Sequence, residues 1–214
     1  MELIKPLQST AVRFLRIKPT EVFIPDIVQG IKDRYRFWEA PLSLAEWNQD
    51  TGARFAVGKF RDANIGTLQI FANGIVTQGD TNTSVLDDMI SDAMVWAQES
   101  FGLEFIVSQP IEKNFNSTVE VRVSTDILNK FKQLESARNL LSKFVKDLGF
   151  PVVDYTLNGI TLQSEANELN PIPTNKFVFE RRVGPKQEEN LFFSEAPTTT
   201  DQHIELLQVL EHSF

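Results

Sequence analysis

The residues best placed to do chemistry lie in one stretch, FVFERRVGPKQEENLFFSEAP, which covers residues 177–197. Two phenylalanine-rich runs flank a Gly-Pro turn signal, so the stretch predicts a β-hairpin. An antiparallel pairing centred near Lys186 places Phe179 opposite Phe193. It also places Phe177 opposite Glu195. The predicted ligand-binding or partner-binding residues are those that the hairpin brings to its surfaces: Arg181, Arg182, Phe192 and Glu195.

Alternation along the first strand of this hairpin puts Arg181 on the face of Phe177 and Phe179. Arg182 then lies on the other face with Glu180. Two interpretations of Arg181 follow. Its guanidinium grips a carboxylate or phosphate bidentately, or its stem packs on phenylalanine while the charged group reaches water. We favour the packing interpretation because long arginine stems readily extend along apolar surface.

An acidic cluster, LDDMISD, is a second candidate site. Asp87, Asp88 and Asp92 fall within about one and a half turns of a predicted helix. Paired aspartates can hold Mg²⁺ through the phosphates of a substrate. We favour a structural role, because Asp87 and Asp88 lie in the first turn, where the helix dipole attracts negative charge. No metal site is therefore predicted.

Other catalytic constellations are missing from the sequence. The only histidines, His203 and His212, are nine residues apart on one predicted helix and point to opposite sides, so they cannot share a metal. The chain has no Gly-x-Ser-x-Gly nucleophile motif, no glycine-rich phosphate loop and no cysteine. We therefore predict no cofactor and no catalytic residues, and we lean against an enzyme.

The composition favours interaction over catalysis. The 214 residues include 17 Phe against 2 Tyr and 3 Trp, and the formal net charge is -8. Phenylalanine carries no polar group and belongs in dry cores and interfaces. The negative charge disfavours nucleic acid and anionic membranes as partners. No signal-peptide pattern and no apolar run of about 20 residues occurs, so we expect a cytoplasmic protein.

Local patterns also indicate strands and turns. Two Asn-Gly pairs, at 73–74 and 158–159, each separate two apolar runs. Such a pair predicts a two-residue hairpin turn with positive φ at both positions. Val119, Val121 and Val123 alternate with polar residues and predict a half-buried strand. The sequence EFIVSQP, at 104–110, is expected to form a loop.

Apolar residues at helical spacing predict helices near 24–38, 83–101 and 126–148, and from about 199 onwards. The helix over 83–101 is expected to bury Leu86, Met89 and Ile90 and to end at Gly102. The long helix over 126–148 is expected to bury its apolar stripe, which consists of Ile127, Phe131, Leu134, Leu141, Val145 and Leu148.

These elements predict an α+β fold, in which antiparallel sheet built from Asn-Gly hairpins has long amphipathic helices packed on one face. Residues 1–103 read as strand, helices, Asn-Gly hairpin and helix. Residues 104–214 read as strands, the long helix, two hairpins and a C-terminal helix. The order leaves two alternatives open, namely two similar α+β halves or one continuous domain.

We expect a non-catalytic interaction or assembly protein, which binds a protein partner or forms a homo-oligomer through Phe-rich surface. The alternative is a small-molecule or anion-binding protein, or a metal-assisted phosphate-handling enzyme, that combines Arg181 with acids such as Glu195 or Asp92. A variant of this alternative places an apolar ligand in a cavity beneath the long helix.

Overall fold

The fold is α+β, as the sequence predicts. The computed structural model describes residues 1–18, 24–43, 46–47, 51–108, 111–124, 127–151, 154–165, 175–182 and 190–213. The described strands are β1 (Glu2–Ile17), β2 (Ala53–Phe60), β3 (Ala63–Phe71), β4 (Gly74–Gly79), β5 (Phe105–Val107), β6 (Lys113–Arg122), β7 (Gly159–Leu162), β8 (Phe177–Arg181) and β9 (Leu191–Ala196). The described helices are α1 (Ile24–Arg34), α2 (Thr83–Phe101), α3 (Glu135–Asp147) and α4 (Thr200–His212), with 3₁₀ turns over Ile127–Lys130 and Lys132–Leu134.

All strand pairings are antiparallel, in the order β2-β3-β4-β1-β6-β9-β8-β7. The long strand β1 is central, because Ser9 lies between Gly79 of β4 and Ser117 of β6. The end of β1 also pairs with β5, which corrects the expected loop at 104–110. Three residues are too few for a periodic pattern, so pairing with β1 determines this strand.

The described elements occur in the same order in both halves of the chain. Apart from β5 and the two 3₁₀ turns, each half runs strand, helix, three strands, helix, and the last three strands of each half lie in mirrored order outward from the β1–β6 pair. One continuous sheet therefore joins the halves through its two central strands. A common origin of the two halves stays a prediction.

The helices α1, α2 and α4 cover one face of the sheet. Alternation places Ala11 of β1 and Val119 and Val121 of β6 on that face, and all three are fully buried. One cluster of apolar side chains packs beneath α1 and α2, and a second packs beneath α4. The predicted strand at Val119–Val123 and the predicted stripe of α2 are confirmed, since Leu86, Met89 and Ile90 are completely buried.

The Asn-Gly prediction is only partly correct. Residues 73–74 lie where β3 turns into β4, but Gly74 already pairs with Phe71, and neither Asn73 nor Gly74 has positive φ. Asn158 precedes β7 and joins no two paired strands.

Both glycines are required by a close backbone approach. A Cβ on Gly74 would lie 2.7 Å from the Arg13 carbonyl oxygen, and one on Gly159 would lie 2.7 Å from that of Phe179. The Gly-Pro turn at 184–185 and Phe214 lie outside the described residues.

Candidate interaction site

The predicted hairpin of residues 177–197 forms as β8 and β9, with a register one residue away from the expected one. Phe179 pairs with Ser194 instead of Phe193. This register brings Phe192 onto the face of Phe179, and the two rings stack with their centroids 4.5 Å apart. Phe192 is completely buried. It is therefore a core residue, which corrects its predicted place at a partner-binding surface.

The other three predicted site residues lie on two different faces of the sheet. Arg181 is half-buried on the helix-covered face, with its guanidinium carbon 5.6 Å from the centre of the Phe192 ring. Arg182 forms an ion pair with Glu120 on the opposite face. Glu195, on that face too, accepts a hydrogen bond of 2.8 Å from the Asn116 amide. The structure thus does not bring Arg181 and Glu195 together.

The open face around Glu195 is polar. A shallow cavity of about 370 Å³ there is lined by side chains that include Gln8, Thr10, Gln78 and Asn116. Such groups donate and accept hydrogen bonds with little selectivity for charge. The Glu195 carboxylate at the same place opposes the binding of an anion.

The three aspartates of α2 each contact basic residues of other elements. Asp87 binds Arg13 and Lys113, Asp88 binds Arg61, and Asp92 binds Arg34 and Tyr35. Burial raises the pKa of Asp87, but the bonds from Lys113 and Arg13 outweigh it, so that its pKa is below the ordinary value. In the part of the chain that the structure describes, no group of three or more acidic or histidine side chains is arranged for a metal.

His203 is fully buried and lies between two serines. Its Nε2 atom is 2.9 Å from the Ser194 hydroxyl oxygen and its Nδ1 atom 3.1 Å from that of Ser117. Burial lowers the pKa of the imidazole to about 4. Each ring nitrogen lies within hydrogen-bond distance of a hydroxyl group, so the geometry is that of a satisfied core histidine. The sequence does not reveal this position, because helical spacing alone also fits an exposed histidine.

An apolar cavity of about 310 Å³ lies between α1, α2 and the sheet. Its wall includes Ile27 and Ile31 of α1, Trp96 of α2 and Phe105 of β5, and Lys18 is among its few polar residues. The sequence-based prediction places such a cavity beneath the long helix over 126–148. The structure places it beneath α1 instead.

The apolar side of α3 differs most from expectation. The predicted helix over 126–148 is replaced by two 3₁₀ turns followed by α3, and α3 buries none of its residues. Ile127 is buried in the first turn, as predicted, but Leu134, Leu141 and Leu148 are exposed. The exposed large apolar side chains in and beside α3 are between 42% and 76% accessible: Leu134, Leu140, Leu141, Phe144, Leu148 and Phe150. We call these six residues the α3 apolar face.

The side of α3 next to Leu134, Leu141 and Leu148 lies against the rest of the molecule. Arg138, Ser142 and Val145 are half-buried, and the Arg138 Nε–H donates to the Tyr155 carbonyl oxygen at 2.6 Å. Leu134, Leu141 and Leu148 recur at intervals of seven, so they follow one side of the helix. The stripe predicted to be buried is thus only partly so: Ile127 is buried and Phe131 and Val145 are half-buried, while the three leucines are exposed.

A scan against models of known protein families matches none of them, and a search of curated proteins finds no similar sequence. Among the described helices, none has both the length and the apolar character required to cross a membrane.

Proposed function

We propose that this protein is a non-catalytic assembly protein that self-associates through the α3 apolar face. The observation that carries the proposal is the exposure of six large apolar side chains in and directly beside the amphipathic helix α3. Large contiguous apolar patches are unusual on monomers and mark sites of interaction. Association would remove these side chains from water, which is the main driving force of protein–protein binding.

Charge supports a second copy of the chain as the partner. Residues 130–147 contain five basic and two acidic side chains, although the whole chain carries a net charge of -8. The remainder of the molecule is therefore more acidic than the whole. A second copy offers the basic helix an attracting surface, and such complementarity favours the correct encounter.

The surroundings of the polar residues support a non-catalytic role. Asp88 and Asp92 form ion pairs with Arg61 and Arg34, and His203 bonds to hydroxyl groups. The Arg181 guanidinium lies over the Phe192 ring, and its Nε–H donates to the Leu157 carbonyl oxygen at 3.4 Å. In each case, contacts within the fold account for the polar residue without a catalytic role.

Sedimentation velocity across a dilution series tests the proposal. We expect a reversible monomer–dimer equilibrium, and we expect Phe144→Asp to raise the dissociation constant at least about tenfold. Val95→Asp is a matched control, because Val95 is equally exposed (54% against 53%) on α2. A wild-type chain that stays monomeric throughout the series contradicts the proposal, as does an equal effect of the two substitutions.

The cavity beneath α1 supports a second candidate function, the binding of a small apolar molecule. Its volume of about 310 Å³ falls at the lower end of known ligand pockets. A medium-chain fatty acid is a suitable probe, since its chain suits the apolar wall and its carboxylate can compete with Glu104 for Lys18. We expect the fatty acid to raise the melting temperature of the wild type but not of Ala93→Phe, which fills the cavity. No shift in the wild type would exclude this candidate.

A further inference from the structure

Two equivalent positions in the halves of the sheet allow α2 and α4 to be compared residue by residue. Gly79 of β4 pairs with Ser9, and Ala196 of β9 pairs with Ser117, while Ser9 and Ser117 pair with each other. Thr83 and Thr200, the first residues of α2 and α4, follow four positions after Gly79 and Ala196.

The two helices are aligned by pairing residues that lie the same number of positions after Thr83 in α2 and after Thr200 in α4. His203 of α4 takes the place of Leu86, and Leu207 takes that of Ile90. All four side chains are at most 1% exposed, as expected for equivalent core positions. The alignment therefore holds for the buried sides of both helices.

The same alignment identifies the flank of α4 that corresponds to the α1-binding flank of α2. In the first half, Asp92 accepts hydrogen bonds from Arg34 and Tyr35 at the end of α1. Gly30 of α1 lies so close to Trp96 of α2 that an added Cβ would be 2.7 Å from the indole ring. Helix α1 thus packs tightly along one flank of α2.

On α4 the corresponding flank is apolar and exposed. Leu206 takes the place of Met89, and Val209 takes the place of Asp92. Met89 is completely buried, whereas Leu206 is 40% exposed and Val209 58%. The flank has the apolar composition of a helix-packing surface, but none of the helices that the structure describes covers it as α1 covers its counterpart.

The element of the second half that corresponds to α1 is α3, since α1 follows β1 and α3 follows β6, the two central strands of the sheet. We infer that α3 of one copy packs its apolar face on the Leu206–Val209 flank of α4 of a second copy, and reciprocally. This inference rests on the proposed function and names the surface that receives α3. Both surfaces are exposed within one chain, so two copies related by a twofold axis cover both at once.

The charges of the two helices agree with this pairing. Helix α4 has no lysine or arginine, and its exposed acidic residues are Asp201 and Glu205, since Glu211 is buried and paired with the N-terminal ammonium group. Helix α3 contains Arg138, Lys143 and Lys146 against Glu135 and Asp147. The first half shows the same polarity, since α1 supplies Arg34 to Asp92 of α2. Glu205 is exposed one turn before Val209, where it can meet a basic residue of α3.

Disulfide trapping tests the inference, because the natural chain has no cysteine. Phe144→Cys and Val209→Cys are made in separate chains, of which one carries a tag that changes its mass. After mixing and mild oxidation, we expect a mixed disulfide dimer on non-reducing electrophoresis. Its yield should exceed severalfold that of Asn139→Cys mixed with Val209→Cys, since Asn139 is exposed outside the α3 apolar face.

The outcomes separate this inference from the proposed function. A wild-type chain that sediments as a monomer overturns both. A wild-type dimer whose trapped yield does not exceed the Asn139→Cys control overturns only the α3–α4 contact. The double variant F144C/V209C is a further test. If its monomer forms an internal disulfide, α3 packs on α4 of the same chain, and the proposed contact between two copies is overturned. A dimer that is lost in Leu206→Asp, with the far-ultraviolet circular dichroism unchanged, supports the named flank.

Discussion

Thr83 and Thr200 bond to each other reciprocally. The Thr83 backbone N–H donates to the Thr200 hydroxyl at 3.1 Å, and the Thr200 N–H donates to the Thr83 hydroxyl at 2.9 Å. Each residue is the first of a helix, where backbone N–H groups have no partner within the helix. Both residues are 1% exposed, so the pair satisfies donors that water does not reach and joins the two halves at the centre of the fold.

This pair predicts energetic coupling between the halves. Thr83→Val and Thr200→Val should each lower the free energy of unfolding by about 1–3 kcal/mol, because each leaves the opposite buried N–H without its acceptor. The double variant should lose less than the two single losses combined, since both substitutions remove the same hydrogen bond of 3.3 Å between the two hydroxyl groups. Urea denaturation of the four proteins measures the coupling. Thr161→Val on the exposed position of β7 is the control, and additive losses would contradict the prediction.

The neighbouring aspartates of α2 should differ in their contribution to stability. Asp87 contacts Arg13, whose side chain is only 9% exposed, while Asp88 and Arg61 are more than half exposed. Asp87→Asn should therefore lower the free energy of unfolding by about 2–3 kcal/mol, because it leaves a buried guanidinium poorly compensated. Asp88→Asn should cost no more than about 1 kcal/mol. If Asp87→Asn and Asp88→Asn lower the free energy of unfolding equally in urea denaturation, the contact of Asp87 with Arg13 adds no special stability.

His203 should make stability depend on pH. Its pKa is lowered by burial to about 4 in the folded chain, against about 6.5 when unfolded. Between these values the unfolded chain binds more protons, so this contribution is complete above pH 6.5 and is lost as the pH falls towards 4. From pH 7 to about 5.5 the loss should be about 1 kcal/mol.

His203→Leu, which introduces the residue found at the equivalent position 86, should remove this loss. Urea denaturation at the two pH values measures it. His212→Leu is the matched control, because His212 is exposed on the same helix. If the free energy of unfolding falls with pH as much in His203→Leu as in the wild type, groups other than His203 cause the pH dependence.

Self-association should weaken as salt is added. The proposed contact joins a basic helix to an acidic one, and salt screens such attraction between exposed charges. We expect the dissociation constant measured by sedimentation to rise between low and high sodium chloride, and Lys143→Glu to reduce that dependence. A dissociation constant that falls with salt would indicate a contact dominated by apolar burial alone.

Local regularities allowed several elements to be predicted from the sequence. The alternation of Val119, Val121 and Val123 depends only on the pleat of a strand, and the stripe of α2 depends only on the helical repeat. Gly102, with φ 63, ends α2 as expected, because glycine adopts this conformation without strain. These features involve residues close together in the chain.

Long-range contacts decided the remainder. The register of β8 and β9, in which Phe179 pairs with Ser194, differs by one residue from the symmetric expectation. That single shift moves Phe192 from a predicted surface into the core. Periodicity identifies the apolar side of a helix such as α3, but it carries no information about what covers that side. Only the packing of distant segments decides whether such a side becomes core or remains open to a partner.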